Sequence, residues 1–326
     1  MDKTIFDTEH LTRNHSWDAD YWLNSLDHIK SISDEKIKKI GMRKLRRIVF
    51  ENNQTIVPNG FYKFNGCLKV ELPNYYSFGK IYKTAIRLNR GDELPTKFTT
   101  KFEVVNCDCI NAGKRLLDER FVPAVLNMAC EDGPGGGVIG GCYGQEEGLF
   151  RRTNLYQYMY PFSPHATEYG LKPQYPQYPL NNVYDGVYVK NAIVFRREEA
   201  FGYALLRKPF PMSFIAVPAL RDPTLQNGQL STNDERLTLE KIKTILRIGL
   251  VNGHNALILG AWGCGIFHNP PLHIAKLFRE VFIDHEFYNK FRRVTFAILE
   301  DKISLQRKNG IGNVQPFKTI FEDTSL

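Results

Sequence analysis

The segment AVLNMACEDGPGGGVIGGCYGQEEGLFRRTNLYQYMY, residues 124–160, predicts a strand, a glycine-rich loop and a helix in direct succession. Its apolar start, up to Met128, is typical of a strand that is covered on both faces of a sheet. Seven glycines follow, and Leu149, Tyr156 and Met159 then fall on one face of a helix. The segment therefore predicts an α/β fold in which a glycine-rich loop joins a buried strand to a helix N-terminus.

The chain after residue 100 repeats this alternation of short apolar runs and longer helical patterns. The predicted strands are 102–105, 124–128, 187–195, 214–217, 256–259 and 294–299. The predicted helices are 111–120, 145–159, 236–251 and 272–284. Strands that alternate with helices build parallel sheets covered on both sides, so the pattern predicts a three-layer α/β/α sandwich with a mixed, largely parallel sheet.

The chain before residue 100 has a different pattern. Residues 34–51 form an apolar helical stripe whose other face carries seven Lys or Arg residues, and Asn59-Gly60 ends the helix. Residues 61–72 predict two short strands with a turn at Asn65-Gly66. The predicted divisions are a peripheral or mobile segment 1–33, a helix and hairpin extension 34–100 packed on the core, an α/β domain 101–310 and a tail 311–326.

Composition and charge narrow the class of protein. The chain of 326 residues has a formal net charge of +8. This charge favours a polyanionic partner, although a soluble protein with a moderately basic surface has a similar net charge. No run of about 18 apolar residues and no apolar signal region exist, so we expect an intracellular protein, cytoplasmic or nuclear, without a membrane span. The six cysteines lack framework spacing, which is typical of reduced thiols.

Two carboxylates, Glu146 and Glu147, open the helix after the glycine-rich loop. Loop glycines expose backbone N–H groups and a helix N-terminus adds positive potential, so this place suits a phosphate or diphosphate. No Gly-Lys-Ser/Thr follows, which argues against a P-loop. Successive helical residues project about 100° apart, so one carboxylate can bind a hydroxyl while the other faces the bond that breaks. Their repulsion and a bound diphosphate would raise a pKa, as a general acid needs.

The spacing of the glycines and the acids resembles the signature of the poly(ADP-ribose) glycohydrolases. Gly135-Gly136-Gly137 is followed, after seven residues, by Gln145-Glu146-Glu147. The flanking residues that resemble the microbial branch are Val105–Asp108, Pro123–Asn127, Pro134, Leu149, Arg151, Arg152, Leu155, Tyr156, Leu259–Phe267, Asn269-Pro270 and Phe296–Ile298. The resemblance covers about residues 40–301, and its separate motifs occur in the order found in that family.

This resemblance implies a macrodomain, which binds ADP-ribose in a cleft at the C-terminal ends of its strands. It implies hydrolysis of the ribose–ribose O-glycosidic bond of poly(ADP-ribose), which releases ADP-ribose. Glu147 would be the general acid/base, and Glu146 would hold a ribose hydroxyl. The implied ligand contacts are Asp108 to the adenine amino group, Asn127 to the distal ribose, and Gly135, Gly136 and Gly137 to the diphosphate and distal ribose. Gly263, Cys264, Gly265, Ile266 and Phe267 would close over the diphosphate, with Phe267 packing against the distal ribose. Gln145 is a further implied ligand-binding residue.

The sequence departs from the family pattern at three places. Gly144 stands where the family usually has Ala, and Cys109 replaces a usual Thr. The segment 161–185, rich in Pro and Tyr, looks like a long insertion, and such insertions often form functional lids. The insertion leaves the choice of substrate open, because a lid decides what enters a site.

Three other functions stay open at this stage. The same chemistry could remove mono(ADP-ribosyl) groups from protein or nucleic acid, or the domain could be a non-catalytic reader of ADP-ribose. A nucleic-acid-binding role rests on the basic charge alone, since no recognition motif accompanies it. The intact Gln145-Glu146-Glu147 favours the enzyme over the reader.

The expected partners are poly(ADP-ribose) or ADP-ribosylated macromolecules, with ADP-ribose as the product and no membrane. We expect no cofactor, because glutamates and backbone dipoles can supply both the charge and the proton transfer. We also expect a monomer. The histidines show no spacing that indicates a metal site. Trp262 follows an apolar strand and is interpreted as a core residue.

Overall fold

The computed structural model describes residues 7–12, 15–88, 99–300, 305 and 311–322. The parts of the predicted divisions that fall on residues 1–6, 13–14, 89–98, 301–304, 306–310 and 323–326 lie outside the described residues. The chain forms two compact units, each built from separate segments. Unit 1 comprises 1–78, 133–175 and 191–211, and unit 2 comprises 79–132, 176–190 and 212–326.

The described residues form helices and strands in close alternation. The helices are α1 (Thr8–Thr12), α2 (Ala19–Ser31), α3 (Glu35–Asn59), α4 (Cys109–Asp118), α5 (Gln145–Arg152), α6 (Tyr156–Met159), α7 (Thr232–Val251), α8 (Pro271–Ile283) and α9 (Val314–Phe321). The strands are β1 (Phe61–Phe64), β2 (Leu68–Glu71), β3 (Phe78–Tyr82), β4 (Lys101–Val105), β5 (Pro123–Asn127), β6 (Gly186–Arg196), β7 (Leu205–Ala216), β8 (Leu225–Gln226), β9 (Gln229–Leu230), β10 (Ala256–Leu259) and β11 (Arg293–Ala297). Within the described ranges, no helix has the length and apolar character that a membrane crossing requires.

A seven-stranded sheet has the strand order β3-β6-β7-β5-β10-β11-β4. The pairs β7–β5, β5–β10, β10–β11 and β11–β4 are all parallel. Every residue of β5 and of β10 is buried, as their uninterrupted apolar composition predicts for strands with no exposed face. All six predicted strands are present in this sheet, so the predicted largely parallel sheet is confirmed.

Helices cover both faces of the sheet within unit 2. Val125 of β5 pairs with Ile258, and α4 approaches this face closely because its Gly113 has no side chain: an added Cβ would lie 3.2 Å from Val125. In β11, Thr295 pairs with Ile258, and the next residue, Phe296, pairs with Leu259. Because successive side chains of a strand point to opposite faces, Phe296 faces the side of the sheet away from α4. There its ring lies 5.5 Å from Phe278 of α8. The predicted α/β/α layering is confirmed in this unit.

The C-terminal segment contributes to the core of unit 2, which the sequence analysis did not predict. It treats 311–326 as a tail, whereas α9 packs against α8 and β4. The ring of Phe321 lies 4.5 Å from Phe296 and 5.0 Å from Phe102. The helix is only eight residues long and follows the last strand, so no alternation pattern marked it.

Unit 1 contains the predicted hairpin, β1–β2, and the predicted basic helix, α3. Beyond the apolar stripe over 34–51, the helix continues through two polar residues, Asn52 and Asn53. Both are buried, and their side chains hydrogen-bond to groups of the same unit. The predicted break at Asn59-Gly60 is confirmed, because the helix ends at Asn59 and Gly60 is its C-cap, with a φ of +72° in the left-handed conformation that favours glycine.

Two further differences concern unit 1. The segment before residue 33 is more helical than predicted, because Trp22 of α2 is fully buried and donates a hydrogen bond to the Leu45 carbonyl at 3.1 Å. The single helix predicted over 145–159 is divided into α5 and α6. Thr153 lies between them with extended backbone and forms a bridge with Val194, which ends the first helix.

A buried histidine in unit 2 predicts a dependence of stability on pH. The Tyr188 hydroxyl lies 2.8 Å from Nε2 of His254, and Nδ1 lies 3.0 Å from the Val122 carbonyl oxygen. A neutral ring satisfies both contacts by accepting from the hydroxyl and donating to the carbonyl. Burial lowers the pKa of His254 to about 4, outweighing its hydrogen bond to Val122.

We therefore expect the free energy of unfolding to fall as the pH decreases from about 6.5 to about 4. In that window the unfolded histidine is protonated and the folded one is not, so acid favours unfolding. The full loss is of the order of 3 kcal/mol for this group. Denaturant titrations at several pH values give the free energy of unfolding as a function of pH. Between about pH 6.5 and about pH 4 this free energy should fall less steeply for His254→Gln than for the native chain. An equal pH dependence in the two proteins would contradict the assignment.

Candidate active site

The predicted site residues lie in both units. Unit 1 contains Gly135–Gly137 and Gln145–Glu147, and unit 2 contains Asp108, Asn127 and Gly263–Phe267.

The two glutamates at the start of α5 are held by the glycine-rich loop of unit 1. The backbone N–H of Gly135 donates to Oε1 of Glu146 at 3.1 Å, and the N–H of Gly137 donates to Oε1 of Glu147 at 2.9 Å. Glu146 is buried, whereas Glu147 is half-buried and more accessible. The two carboxylates thus differ in burial, Glu146 being fixed inside the unit and Glu147 more open to solvent.

The close approach between loop and glutamates requires glycine. A Cβ at Gly136, where φ is +51°, would lie 2.7 Å from Oε1 of Glu147. A Cβ at Gly137 would lie 2.5 Å from Sγ of Cys142. A Cβ at Gly144 would lie 2.1 Å from Oε2 of Glu147, so the Ala that is usual in the family requires this flexible carboxylate to move. The loop conformation and the position of Glu147 therefore depend on each other.

A buried arginine supports the loop from the far end of the same helix. Arg151 of α5 is fully buried, and its Nη2 donates to the Cys142 carbonyl oxygen at 2.9 Å. Its Nε donates to the Tyr203 hydroxyl at 3.0 Å, and that hydroxyl donates to Glu199 at 2.9 Å. Arg46 of α3 completes the network with two 2.8 Å hydrogen bonds to the Glu199 carboxylate. The network ties the loop and α5 to distant segments of unit 1.

The role of these four residues cannot be predicted from the sequence. Arg46 belongs to the basic face of the predicted helix, but its side chain is largely buried against Glu199. Burial by itself raises the pKa of Glu199, and the hydrogen bond and charge of Arg46 outweigh it, so the pKa lies below its ordinary value. Glu199 and Tyr203 lie some fifty residues after Arg151 in the chain, and no local pattern connects them.

The second glycine-containing loop, Gly263–Phe267 of unit 2, is fixed by one buried amide. Nδ2 of Asn269 donates to the carbonyl oxygens of Leu220 at 2.7 Å, Gly263 at 3.1 Å and Phe267 at 3.2 Å. Gly263 has a φ of +74°, and an added Cβ would lie 2.7 Å from Nδ2 of Asn269. In the sequence, Asn269 stands out only through its resemblance to the family motif, and these three hydrogen bonds give the physical reason for it.

Side chains of this loop differ in their exposure. Cys264 is fully buried and its sulfur lies 3.5 Å from the Trp262 carbonyl oxygen, so its side chain packs inside unit 2. Ile266 is 74% exposed, which leaves it available to a ligand. The Phe267 ring is half-buried, with the Arg221 guanidinium 4.6 Å from its centre. The core interpretation of Trp262 is confirmed, because it is buried and donates to the Val217 carbonyl oxygen at 2.9 Å.

The remaining two predicted residues lie at the ends of elements of unit 2. Asp108 is the N-cap of α4, where its Oδ1 accepts from the Asn111 N–H at 3.0 Å. Asn127 is the last residue of β5 and is fully buried. Over the described ranges, no three His, Cys, Asp or Glu side chains are grouped so that they could hold a metal ion.

Comparison with protein families gives one match. Residues 52–197 match the family described as the catalytic domain of microbial-type PARG, that is, poly(ADP-ribose) glycohydrolase. This range contains the loop 135–137, both glutamates and Arg151. A search of curated proteins yields no match.

Solved structures show the same fold. The chain resembles poly(ADP-ribose) glycohydrolase from Thermomonospora curvata with 24% identity and a TM-score of 0.66, over 85% of this chain and 99% of that chain. It resembles the enzyme from Deinococcus radiodurans, in complex with ADP-ribose, with 28% identity and a TM-score of 0.55, over 70% of this chain and 86% of that chain. Residues 52–197 therefore resemble a microbial-type PARG catalytic domain, and the chain shares the fold of these bacterial enzymes.

Proposed function

We propose that the protein is a poly(ADP-ribose) glycohydrolase, with Glu147 as its general acid/base. The observation that carries the proposal is the accessible Glu147 carboxylate at the N-terminus of α5, held by the Gly137 N–H in a glycine-rich loop. The family match and the ADP-ribose complex of the Deinococcus radiodurans relative support the ligand class. A structure of the Thermomonospora curvata relative contains the inhibitor ADP-HPD, which supports a glycosidase.

The proposed reaction is hydrolysis of the bond between two riboses. Glu147 donates its proton to the ribose oxygen that departs, while the anomeric C–O bond breaks and positive charge develops on the sugar. The resulting carboxylate then takes a proton from water, whose oxygen bonds to the anomeric carbon, so the acid is regenerated. Glu146, which is buried and fixed by the Gly135 N–H, holds a ribose hydroxyl of the bound unit.

The other site residues are proposed as ligand contacts. In unit 1, Gly135–Gly137 presents backbone groups to the diphosphate and the distal ribose, and Gln145 begins the helix whose N-terminus favours negative charge. In unit 2, Gly263–Phe267 binds diphosphate, with the Phe267 ring against ribose. Asn127 bonds this ribose, and Asp108 accepts from the adenine amino group.

Identification of the released product tests the function. The protein is incubated with poly(ADP-ribose) and, separately, with mono-ADP-ribosylated proteins and nucleic acid ends. The proposal predicts ADP-ribose from the polymer. Release from the mono-modified substrates alone would instead assign a mono(ADP-ribosyl) hydrolase, and binding without any release would assign a reader.

Free ADP-ribose is expected to bind with EDTA present. Backbone N–H groups of the two loops supply the donors for a diphosphate, so affinity does not depend on a metal. Isothermal titration calorimetry with and without EDTA should give equal dissociation constants. Absence of measurable heat at high ligand concentration would contradict the ligand assignment, and loss of binding in EDTA would contradict the metal independence.

We also propose that the protein acts inside the cell and as a monomer. All six cysteines are free, and their lack of pairing is typical of a reducing compartment. Size-exclusion chromatography with light scattering tests the monomer.

A further inference from the structure

Unit 1 contains a cavity of about 1000 Å³ that none of the proposed roles uses. Its walls come from α1, from one side of α3, from Lys63 of β1 and from Gly140 of the glycine-rich loop. Ligand pockets are typically about 300 to 1,000 Å³, so the space is sufficient for a nucleotide-sized group.

The cavity is lined by more positive than negative side chains. Arg43, Lys44 and Arg47 of α3 contribute three cations and Lys63 a fourth, against the carboxylates of Glu9 and Glu51. Glu51 lies 2.6 Å from Arg47, so that pair is mutually compensated. Elsewhere in the described ranges, no carboxylate lies within ion-pairing distance of Arg43, Lys44 or Lys63. These three cations give the cavity its positive potential.

A buried charge behind the cavity wall adds to this potential. Asn52 lines the cavity, and its side-chain oxygen accepts a hydrogen bond from the guanidinium of Arg196. Arg196 is fully buried and is held by neutral partners, Asn53 at 2.7 Å and the Tyr203 carbonyl oxygen at 3.1 Å. Burial lowers its pKa to about 9, so it remains charged at neutral pH. Buried charges are weakly screened, and this one favours an anion in front of Asn52.

The loop that holds Glu147 forms part of the cavity wall. Gly140 forms part of its wall and follows Gly137, the donor to Glu147, by three residues. The next residue, Gly141, packs directly on the Arg43 backbone: an added Cβ would lie 1.8 Å from its carbonyl oxygen. The glycine-rich loop therefore both holds Glu147 and borders the cavity.

We propose that this cavity is a second anion-binding site, which takes the diphosphate of a poly(ADP-ribose) unit other than the one being cleaved. The inference rests on the proposed function, and it specifies a polymer rather than a mono-modified substrate. A nucleic acid offers phosphates as well, but the loop of Glu147 borders the cavity, which favours the polymer that the enzyme cleaves.

A pair of double variants tests the site. Lys44→Ala/Lys63→Ala removes two cavity cations that have no ion-pair partner among the described residues, whereas the control Lys36→Ala/Lys39→Ala removes two exposed cations of α3 that do not line it. Binding is measured by fluorescence anisotropy with labelled long poly(ADP-ribose) and by calorimetry with free ADP-ribose. We expect about three- to tenfold weaker polymer binding for the cavity variant only, with unchanged affinity for ADP-ribose. The difference should shrink at high salt.

Three results would overturn the site. The first is an equal loss of polymer affinity in the control variant, and the second is an equal loss of affinity for polymer and for free ADP-ribose in the cavity variant. The third is binding of a single-stranded nucleic acid, with the same number of phosphates, as tightly as the polymer and in a way that depends on Lys44 and Lys63. Lys44→Arg/Lys63→Arg should restore polymer binding, and thermal unfolding of each variant shows whether it is folded.

Product release by the native chain separates the two proposals. ADP-ribose release together with cavity-independent polymer binding leaves the proposed function intact and overturns the site. Cavity-dependent polymer binding without any release supports the site and contradicts the proposed function.

Discussion

Replacement of Glu147 by Gln is expected to reduce hydrolysis of poly(ADP-ribose) by roughly 10²- to 10⁴-fold, the usual contribution of a general acid/base. The amide has nearly the same shape as the carboxyl group but cannot transfer the proton. Its oxygen can still accept from the Gly137 N–H, which donates to Glu147 at 2.9 Å in the native chain. The dissociation constant for ADP-ribose should therefore change little, and the loss should appear in kcat.

Glu146→Gln is the informative partner variant. Glu146 is buried and is proposed to hold a ribose hydroxyl, so this change should weaken ADP-ribose binding. Calorimetry and initial rates on both variants separate the two roles. Near-native turnover by Glu147→Gln would place the acid elsewhere, with Glu146 as the first alternative.

Gly141→Ala is expected to cost about 2 to 5 kcal/mol of unfolding free energy and most of the hydrolytic activity. Gly141 has a φ of +69°, and its Cβ would lie 1.8 Å from the Arg43 carbonyl oxygen, so loop and helix must separate. Movement of this loop displaces the Gly137 N–H that holds Glu147. Chemical denaturation measures the first effect and initial rates measure the second.

Gly170→Ala provides a matched control. Gly170 has the same φ of +69°, but an added Cβ there meets no atom within 4 Å. It should therefore show only the cost of the left-handed conformation, about 1 to 2 kcal/mol, and keep its activity. If the two variants lose equal stability and activity, the packing of Gly141 on α3 does not position the loop.

The sequence alone predicted the sheet and its strands, because uninterrupted apolar runs such as Ala256–Leu259 have a single favourable place, inside a sheet covered on both faces. It also predicted both glutamates beside the glycine-rich loop, since these residues are adjacent in the chain and their chemistry is local. The lid role of residues 161–185 and the division of the chain into domains stay predictions.

Only the tertiary structure revealed the residues that support the site. Arg151, Tyr203, Glu199 and Arg46 come from separate segments, and each is an ordinary polar residue in its own local pattern. Their burial is tolerated only because they satisfy one another, which local periodicity does not encode. The same reason explains why Asn52 and Asn53 can be buried inside α3: hydrogen bonds to distant partners, including Arg196, compensate for burying their amides.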